Sequence, residues 1–204
     1  VMLRAASARA GPEVVRIFRP GPTVAFGRSD RRRPGFRAAS EAALAHGREP
    51  VVRTAGGQAA PYDPDCVVVE VVRHETSLVG GVDERYADLA ELLSEALAEH
   101  GARVEVGELA GEYCPGRFSL HLPDGPKVAG IAQRVVKRAS VTSAVLVVDG
   151  GDELRATISD VYAALEIAVD PDLAGALSDQ HAGLSSAGLA GTLRGLARER
   201  YGLT

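Results

Sequence analysis

Two cysteines stand among the 204 residues of this chain, in different settings. Cys114 lies in Gly111-Glu-Tyr-Cys-Pro-Gly116, a loop with turn residues on both sides. A cysteine there reads either as a half-buried small residue or as a nucleophile. The second reading needs a nearby cation or base to favour the thiolate. Cys66 opens Cys-Val-Val-Val-Glu-Val-Val72, a nearly continuous apolar run, and reads as core filler. Lys127 is the natural cation to set beside Cys114. It follows the Pro123-Asp-Gly-Pro126 turn and leads Val-Ala-Gly-Ile-Ala-Gln133. The small residues Ala129, Gly130 and Ala132 let another group approach that backbone closely. Taken alone, a lysine at a hairpin turn is usually solvated. Gly56-Gly57 follows a strand ending in Arg53, and such a loop either presents backbone N–H groups to an anion or developing oxyanion or is an ordinary turn. Arg28, Arg31, Arg32, Arg33 and Arg37 make a basic loop, read either as a solvated face or as a dock for an acidic protein or for phosphates.

Other chemistries find no footing. The five histidines, His46, His74, His100, His121 and His181, show no metal-ligand spacing with each other or with the cysteines, so no metal site is expected. There is no G-x-S-x-G elbow, Walker loop or dinucleotide fingerprint. A net charge of -4 argues against a general nucleic-acid binder. No apolar run approaches a membrane span, and Val1 to Pro20 holds no apolar stretch followed by a cleavage site. With two cysteines, a reducing, cytoplasmic setting is the expectation.

The elements that must position these residues alternate unevenly. Strands are expected over Glu13–Arg19, Thr23–Phe26, Val51–Arg53, Cys66–Val72, Arg103–Val106, Arg117–Leu122, from Lys127 onward, and over Val141–Val148. Phe118, Leu120 and Leu122 alternate with Arg117, Ser119 and His121, and the Pro123–Pro126 turn makes Lys127 the start of a hairpin partner. Helices are expected over Ala38–His46, over Asp83–His100 with Asp83 as N-cap, over Leu154–Ile167, from Asp170-Pro171, and over Leu189–Tyr201. Strands dominate the first three quarters without one-for-one alternation, which predicts an α+β fold with a mixed, largely antiparallel sheet flanked by helices. No linker splits the chain, so a single domain over residues 1–204 is expected.

In this order the elements resemble the lipoate-protein ligase A, octanoyltransferase and biotin-ligase catalytic-domain superfamily, from about Val14 to Leu165. Pro22-Thr-Val-Ala-Phe-Gly-Arg28 looks like its early strand ending in Gly-Arg. Arg53-Thr-Ala-Gly-Gly-Gln-Ala-Ala-Pro-Tyr-Asp63 looks like its Arg-x-x-Gly-Gly-x-Ala-x-x-His-Asp loop, with Tyr62 in place of the histidine. Lys127-Val-Ala-Gly-Ile-Ala-Gln-Arg134 is similar to its Lys-x-x-Gly-x-Ala-Gln-Arg strand. The resemblance implies an acyl group held between the Gly-Gly loop and the lysine strand. Lys127 would be the essential active-site lysine, and Arg53, Gly56, Gly57, Tyr62, Asp63, Gly130 and Ala132 would bind substrate.

The Asn-Asp of classical ligases is missing ahead of the hairpin, and Thr142, Ser143 and Ala144 replace the His and Gly usual after the lysine strand. Cys114 resembles the nucleophile that the cysteine-dependent transferase branch places in a comparable loop upstream of the lysine. That branch would move an octanoyl or lipoyl group through a Cys114 thioester, ionised with help from Lys127, to a lysine of a lipoyl carrier domain. It needs no cofactor, and Arg31, Arg32 and Arg33 would contact the carrier. The alternatives are an ATP- and Mg-dependent lipoate ligase working through an acyl-adenylate, and a non-catalytic acyl- or carrier-binding paralogue. The family's N-terminal helix is at best partial, in Met2 to Ala10, and the C-terminal accessory domain of full ligases is absent from the expected architecture.

Overall fold

The computed structural model describes residue 6, residues 14–75 and residues 81–202. The expected N-terminal helix, Met2 to Ala10, lies outside the described residues except for Ala6. The long element is a six-stranded antiparallel sheet in the order β1-β5-β9-β8-β7-β6. Its strands are β1 (Val14–Phe18), β5 (Cys66–His74), β6 (Glu105–Val106), β7 (Leu120–His121), β8 (Lys127–Val136) and β9 (Ala139–Val147). A second sheet, β3-β2-β4, joins β2 (Thr23–Phe26) to β3 (Glu49–Val52) in parallel and to β4 (Ala60–Tyr62) antiparallel. The α+β class and the mixed strand pairing therefore agree with the sequence.

The apolar run in β5 is explained by its place. β5 lies between β1 and β9, and both its faces are covered. Val67, Val69 and Val71 pack into a core with Leu89, Leu93 and Leu97 of α2 (Val82–Glu99) and Leu189 and Leu193 of α4 (Ser186–Tyr201). Cys66 and Val68 face the other way. They join Phe26, Ala39 and Ala43 of α1 (Phe36–Ala45), and Leu154, Ile158 and Tyr162 of α3 (Gly151–Ala164). The period-two alternation of a strand thus sorts one sequence run into two cores.

Several boundaries move, each for a local reason. Asp83 is not the cap of α2. Gly81 holds that position at φ 66°, and Asp83 sits in the first turn, accepting from Arg117 at 2.7 Å. The strand expected over Arg117–Leu122 shrinks to Leu120–His121. The Ser119 N–H bonds Gly116 and its hydroxyl bonds Glu112, which turns that backbone out of the ladder, and a bulge follows between Leu120 and His121. Arg103–Val106 likewise shrinks to β6. The segment from Asp170 is a single 3-10 turn, Pro171–Leu173, whose first free N–H is capped by the Asp170 carboxylate. No described helix is long and apolar enough to cross a membrane.

Candidate active site

Cys114 is placed by a backbone that few residues adopt. Its φ is 43°, in the left-handed region, a strain that persists only where the surroundings enforce it. Four hydrogen bonds do so. The Cys114 N–H donates to the Tyr162 hydroxyl at 2.9 Å, and that hydroxyl donates to the Ala59 carbonyl at 2.7 Å. The Cys114 carbonyl accepts from Lys127 Nζ at 2.8 Å. The sulfur accepts from Arg53 Nη2 and from the Gln58 N–H, each at 3.2 Å. One phenol on α3 thereby ties the cysteine loop to the Gly-Gly loop.

Lys127 is not the solvated turn lysine that its position alone suggests. Its side chain is 1% exposed and the Glu112 side chain 0%. Besides Cys114, Nζ donates to the Tyr113 carbonyl at 3.0 Å and to Glu112 Oε1 at 3.3 Å, and it lies 4.8 Å from the centre of the Tyr113 ring. Burial pulls the Lys127 ammonium below its usual range, with Cys114 and Glu112 opposing that pull. Glu112 also accepts from the Gly116 N–H at 2.9 Å and the Ser119 hydroxyl at 2.7 Å. The lysine therefore clamps the turn that carries the cysteine. Within hydrogen-bond distance of the sulfur itself, the cation is Arg53.

Arg53 is fixed in turn by the Gln58 carbonyl at 2.7 Å and the Tyr62 hydroxyl at 3.3 Å. Burial works against its charge, but Tyr62 and Cys114 beside it hold the guanidinium pKa above the ordinary value. Burial raises the Tyr62, Tyr113 and Tyr162 phenols, so all three stay protonated at neutral pH.

The Gly-Gly loop has to be glycine for reasons of space. A Cβ on Gly57, which has φ 92°, would stand 2.5 Å from Arg53 Nη2 and 2.8 Å from the Cys114 sulfur. A Cβ on Gly27 would stand 1.9 Å from the Gly57 carbonyl, so the early Gly-Arg strand end and this loop touch backbone to backbone. The Gly56 N–H is already spent on the Gln133 carbonyl at 3.3 Å.

Two spaces are lined by Cys114. The outer cleft, about 250 Å³, is walled by Val82, Tyr86, Phe118 and Ile131, with the Tyr86 and Phe118 rings stacked at 5.3 Å. The inner one runs between Arg53, Tyr62, Lys127, Gly130, Ala132 and Val145, and its 20 Å³ has room for about one water.

The structure thus brings together Cys114, Lys127, Arg53, Gly56, Gly57, Tyr62, Gly130 and Ala132. Asp63 stands apart. Its carboxylate accepts from Arg48 at 2.6 Å, on a different depression of the surface. Arg31 and Arg32 are exposed on a 3-10 turn, while Arg33 reaches the Leu165 carbonyl at 3.3 Å. Cys66 is fully buried, and burial pushes its thiol up to about 12, an inert core residue. Glu112, Gln58, Tyr86 and Tyr162 belong to the site without having been singled out. Glu112 had a signal, as the acid two residues before Cys114. Tyr162 had none, being 48 residues away on a helix. Among the described residues, no group of three or more His, Cys, Asp or Glu is placed to hold a metal ion.

In this two-sheet α+β structure the Gly-Gly loop, the lysine strand and the cysteine loop converge on one cleft. The family model for the lipoyl protein ligase A/B catalytic domain matches residues 1–168, and the chain belongs to that family. It is 34% identical over 145 residues to an octanoyl-GcvH:protein N-octanoyltransferase of Geobacillus kaustophilus, covering 71% of this chain and 51% of that protein. It is 27% identical over 188 residues to a lipoyl-GcvH:protein N-lipoyltransferase of Listeria monocytogenes, covering 87% of this chain and 67% of that one. The chain spans about half the length of the octanoyltransferases it matches. Among solved structures, lipoate-protein ligase A bound with ATP superposes with a TM-score of 0.70 at 18% identity, covering 98% of this chain and 78% of the other. A bipartite lipoate protein ligase of Thermoplasma acidophilum, studied with its E2 lipoyl domain, gives 0.67 at 17% identity, covering 94% and 72%. At that identity the likeness is one of fold.

Proposed function

We propose that this chain is an acyltransferase that moves an octanoyl or lipoyl group through a Cys114 thioester to a lysine of a lipoyl carrier domain. The observation that carries this reading is the sulfur. It is half-buried between two clefts and receives hydrogen bonds from a guanidinium and a backbone N–H. The buried Cys66 sulfur also accepts a backbone N–H, from Asp63 at 3.4 Å, so it is the guanidinium that sets Cys114 apart. The similarity to GcvH-dependent octanoyl- and lipoyltransferases supports the same substrate class.

The steps balance as follows. The thiolate attacks the carbonyl of an acyl-lysine amide on the donor carrier. The C–S bond forms, the C–N bond breaks, and the departing lysine amine takes up a proton. A lysine amine of the acceptor carrier then attacks the thioester. The new amide forms, the C–S bond breaks to return the thiolate, and the proton lost by this amine balances the one gained by the donor. The Gly57 backbone, on which an added Cβ would stand 2.8 Å from the sulfur, is the candidate to meet the oxyanion of each step. Lys127 keeps Cys114 in its strained conformation. The apolar wall of Val82, Tyr86, Phe118 and Ile131 accommodates the acyl chain. Arg31, Arg32 and Arg33 offer the carrier a basic docking surface. No cofactor enters these steps.

The test is intact mass after incubation with an octanoylated carrier, and separately with lipoate, ATP and Mg. An octanoyl adduct on the chain that vanishes in Cys114→Ser, with transfer to a second carrier, is the expected result. Carrier acylation that requires ATP and survives Cys114→Ser would overturn it in favour of a ligase. Ligand binding without adduct or transfer would make the chain a binding paralogue.

A further inference from the structure

We propose that Gln133 is a positioning residue for the acyl chain: its side-chain amide braces the start of α2 against the lysine strand and so sets the width of the outer cleft beside Cys114. Gln133 lies on β8, on the same face as Ile131, which lines that cleft. Its Nε2 donates to the Val82 carbonyl at 3.0 Å, and its Oε1 accepts from Arg85 Nε at 2.9 Å. Val82 and Arg85 belong to the first turn of α2, and Tyr86 follows them. Val82 and Tyr86 line the cleft from α2, while Ile131 and Ala132 line it from β8. The backbone of the same stretch holds the Gly-Gly loop. The Gln133 carbonyl accepts from the Gly56 N–H at 3.3 Å, and the next residue, Arg134, donates to the Thr54 carbonyl at 3.0 Å.

The residue type suits the task. Val82 presents a carbonyl, which only accepts, and Arg85 an N–H, which only donates. A glutamine meets both with one terminal group. A glutamate has no donor for Val82, and a methionine serves neither partner well. Arg85 is itself fixed, 3.2 Å from Glu75 Oε1, which also accepts from the Ser140 hydroxyl on β9. The brace therefore joins α2 to two neighbouring strands of the large sheet. Tyr86 is drawn in as well. Burial raises its phenol, and hydrogen bonding with Gln133 pulls the other way. Its ring stacks on Phe118, which follows the cysteine loop, so a shift of α2 reaches the opposite side of the cleft. The proposal rests on the outer cleft holding the acyl chain, but its test needs no acyl donor or carrier.

The experiment compares Cys114 alkylation by iodoacetamide and by N-octyl iodoacetamide, read on the peptide holding Cys114. In both reactions the thiolate displaces iodide and a C–S bond forms. Only the second reagent brings an apolar tail to the cleft. The wild type is expected to react faster with the octyl reagent and to saturate with it. In Gln133→Met the ratio of the octyl rate to the iodoacetamide rate is expected to fall roughly tenfold, through a higher half-saturating concentration of the octyl reagent. Gln133→Glu keeps the acceptor for Arg85, and its ratio falls less. If Gln133→Met does not fold, Arg85→Lys replaces it, since lysine keeps a charge for Glu75 and lacks the Nε–H that Gln133 accepts. A ratio that stays at the wild-type value in these variants overturns the proposal. So does a ratio that falls through the limiting rate with the half-saturating concentration unchanged. A wild type that gains nothing from the octyl tail overturns the reading of the cleft as the acyl site, and this proposal with it.

Discussion

Replacing Lys127 with Met tests the clamp directly, because methionine keeps the length and apolar bulk of the side chain and removes only its charge and donors. Glu112, 0% exposed at its side chain, would keep the Gly116 N–H and the Ser119 hydroxyl as its only donors. Its Oε2 already has no partner, so the carboxylate would be left as a buried charge without a cation. The carbonyls of Tyr113 and Cys114 would lose their lysine donor as well. Breaking a buried pair from one side costs about 3–5 kcal/mol. For a chain of this size that corresponds to a loss of roughly 6–20 °C in Tm. The assay is urea unfolding, with the free energy compared at matched slope. Glu112→Gln added to Lys127→Met removes the stranded charge, so the double variant is expected to recover most of the loss. An exposed control, Arg37→Ala, breaks an i,i+4 pair on the surface of α1 and is expected to change stability by about 0.5 kcal/mol or less. A Lys127→Met variant within about 1 kcal/mol of the wild type would refute the reasoning, since the pair would then lack the energetic weight of a buried one.

Two further outcomes follow from the same geometry. Tyr162→Phe removes the hydroxyl between the Cys114 N–H and the Ala59 carbonyl. It is expected to cost about 1–3 kcal/mol in unfolding experiments and to slow alkylation of Cys114 as the loop loses its anchor. Asp88 joins α2 to α4 and β5 through Tyr201, Arg200 and Arg73. Burial works to raise its carboxyl, but those hydrogen bonds and charges outweigh it and hold the pKa below the usual value. A carboxylate lowered in the folded state stabilises above its unfolded value and loses that contribution as pH falls through the folded one. The stability gap between the wild type and Asp88→Asn should therefore narrow below about pH 4, measured as urea midpoints. A gap that stays constant into acid would contradict that role.

Much of the architecture was legible because it depends on local pattern. The valine run of β5, the leucine spacing of α2 and the Pro-Asp-Gly-Pro turn before Lys127 each specify an element whatever surrounds it. The different settings of the cysteines were legible too, since Cys66 is buried on a strand and Cys114 lies half-buried in a loop. Elements failed where side chains competed for the backbone. Ser119 reads as one position in an alternating strand, yet its bonds to Glu112 and Gly116 end the ladder early. The N-cap of α2 failed for a related reason. A glycine at positive φ took the position, and Asp83 was left to pair with Arg117.

The motifs by themselves pointed to part of the group that gathers at the cleft, while Asp63 stands apart from it and Glu112, Gln58, Tyr86 and Tyr162 join it. Arg53, the Gly-Gly pair, Cys114 and Lys127 are carried by elements whose type and order can be read in one dimension. Tertiary structure alone decided who touches whom. Lys127 reaches the Cys114 carbonyl, Arg53 reaches the sulfur, Asp63 turns to Arg48, and Tyr162 arrives from a distant helix. Spacing along a strand gives the face a side chain takes. A hydrogen bond is decided within a few tenths of an ångström, by loop paths and by the close backbone approach of Gly27 to Gly57.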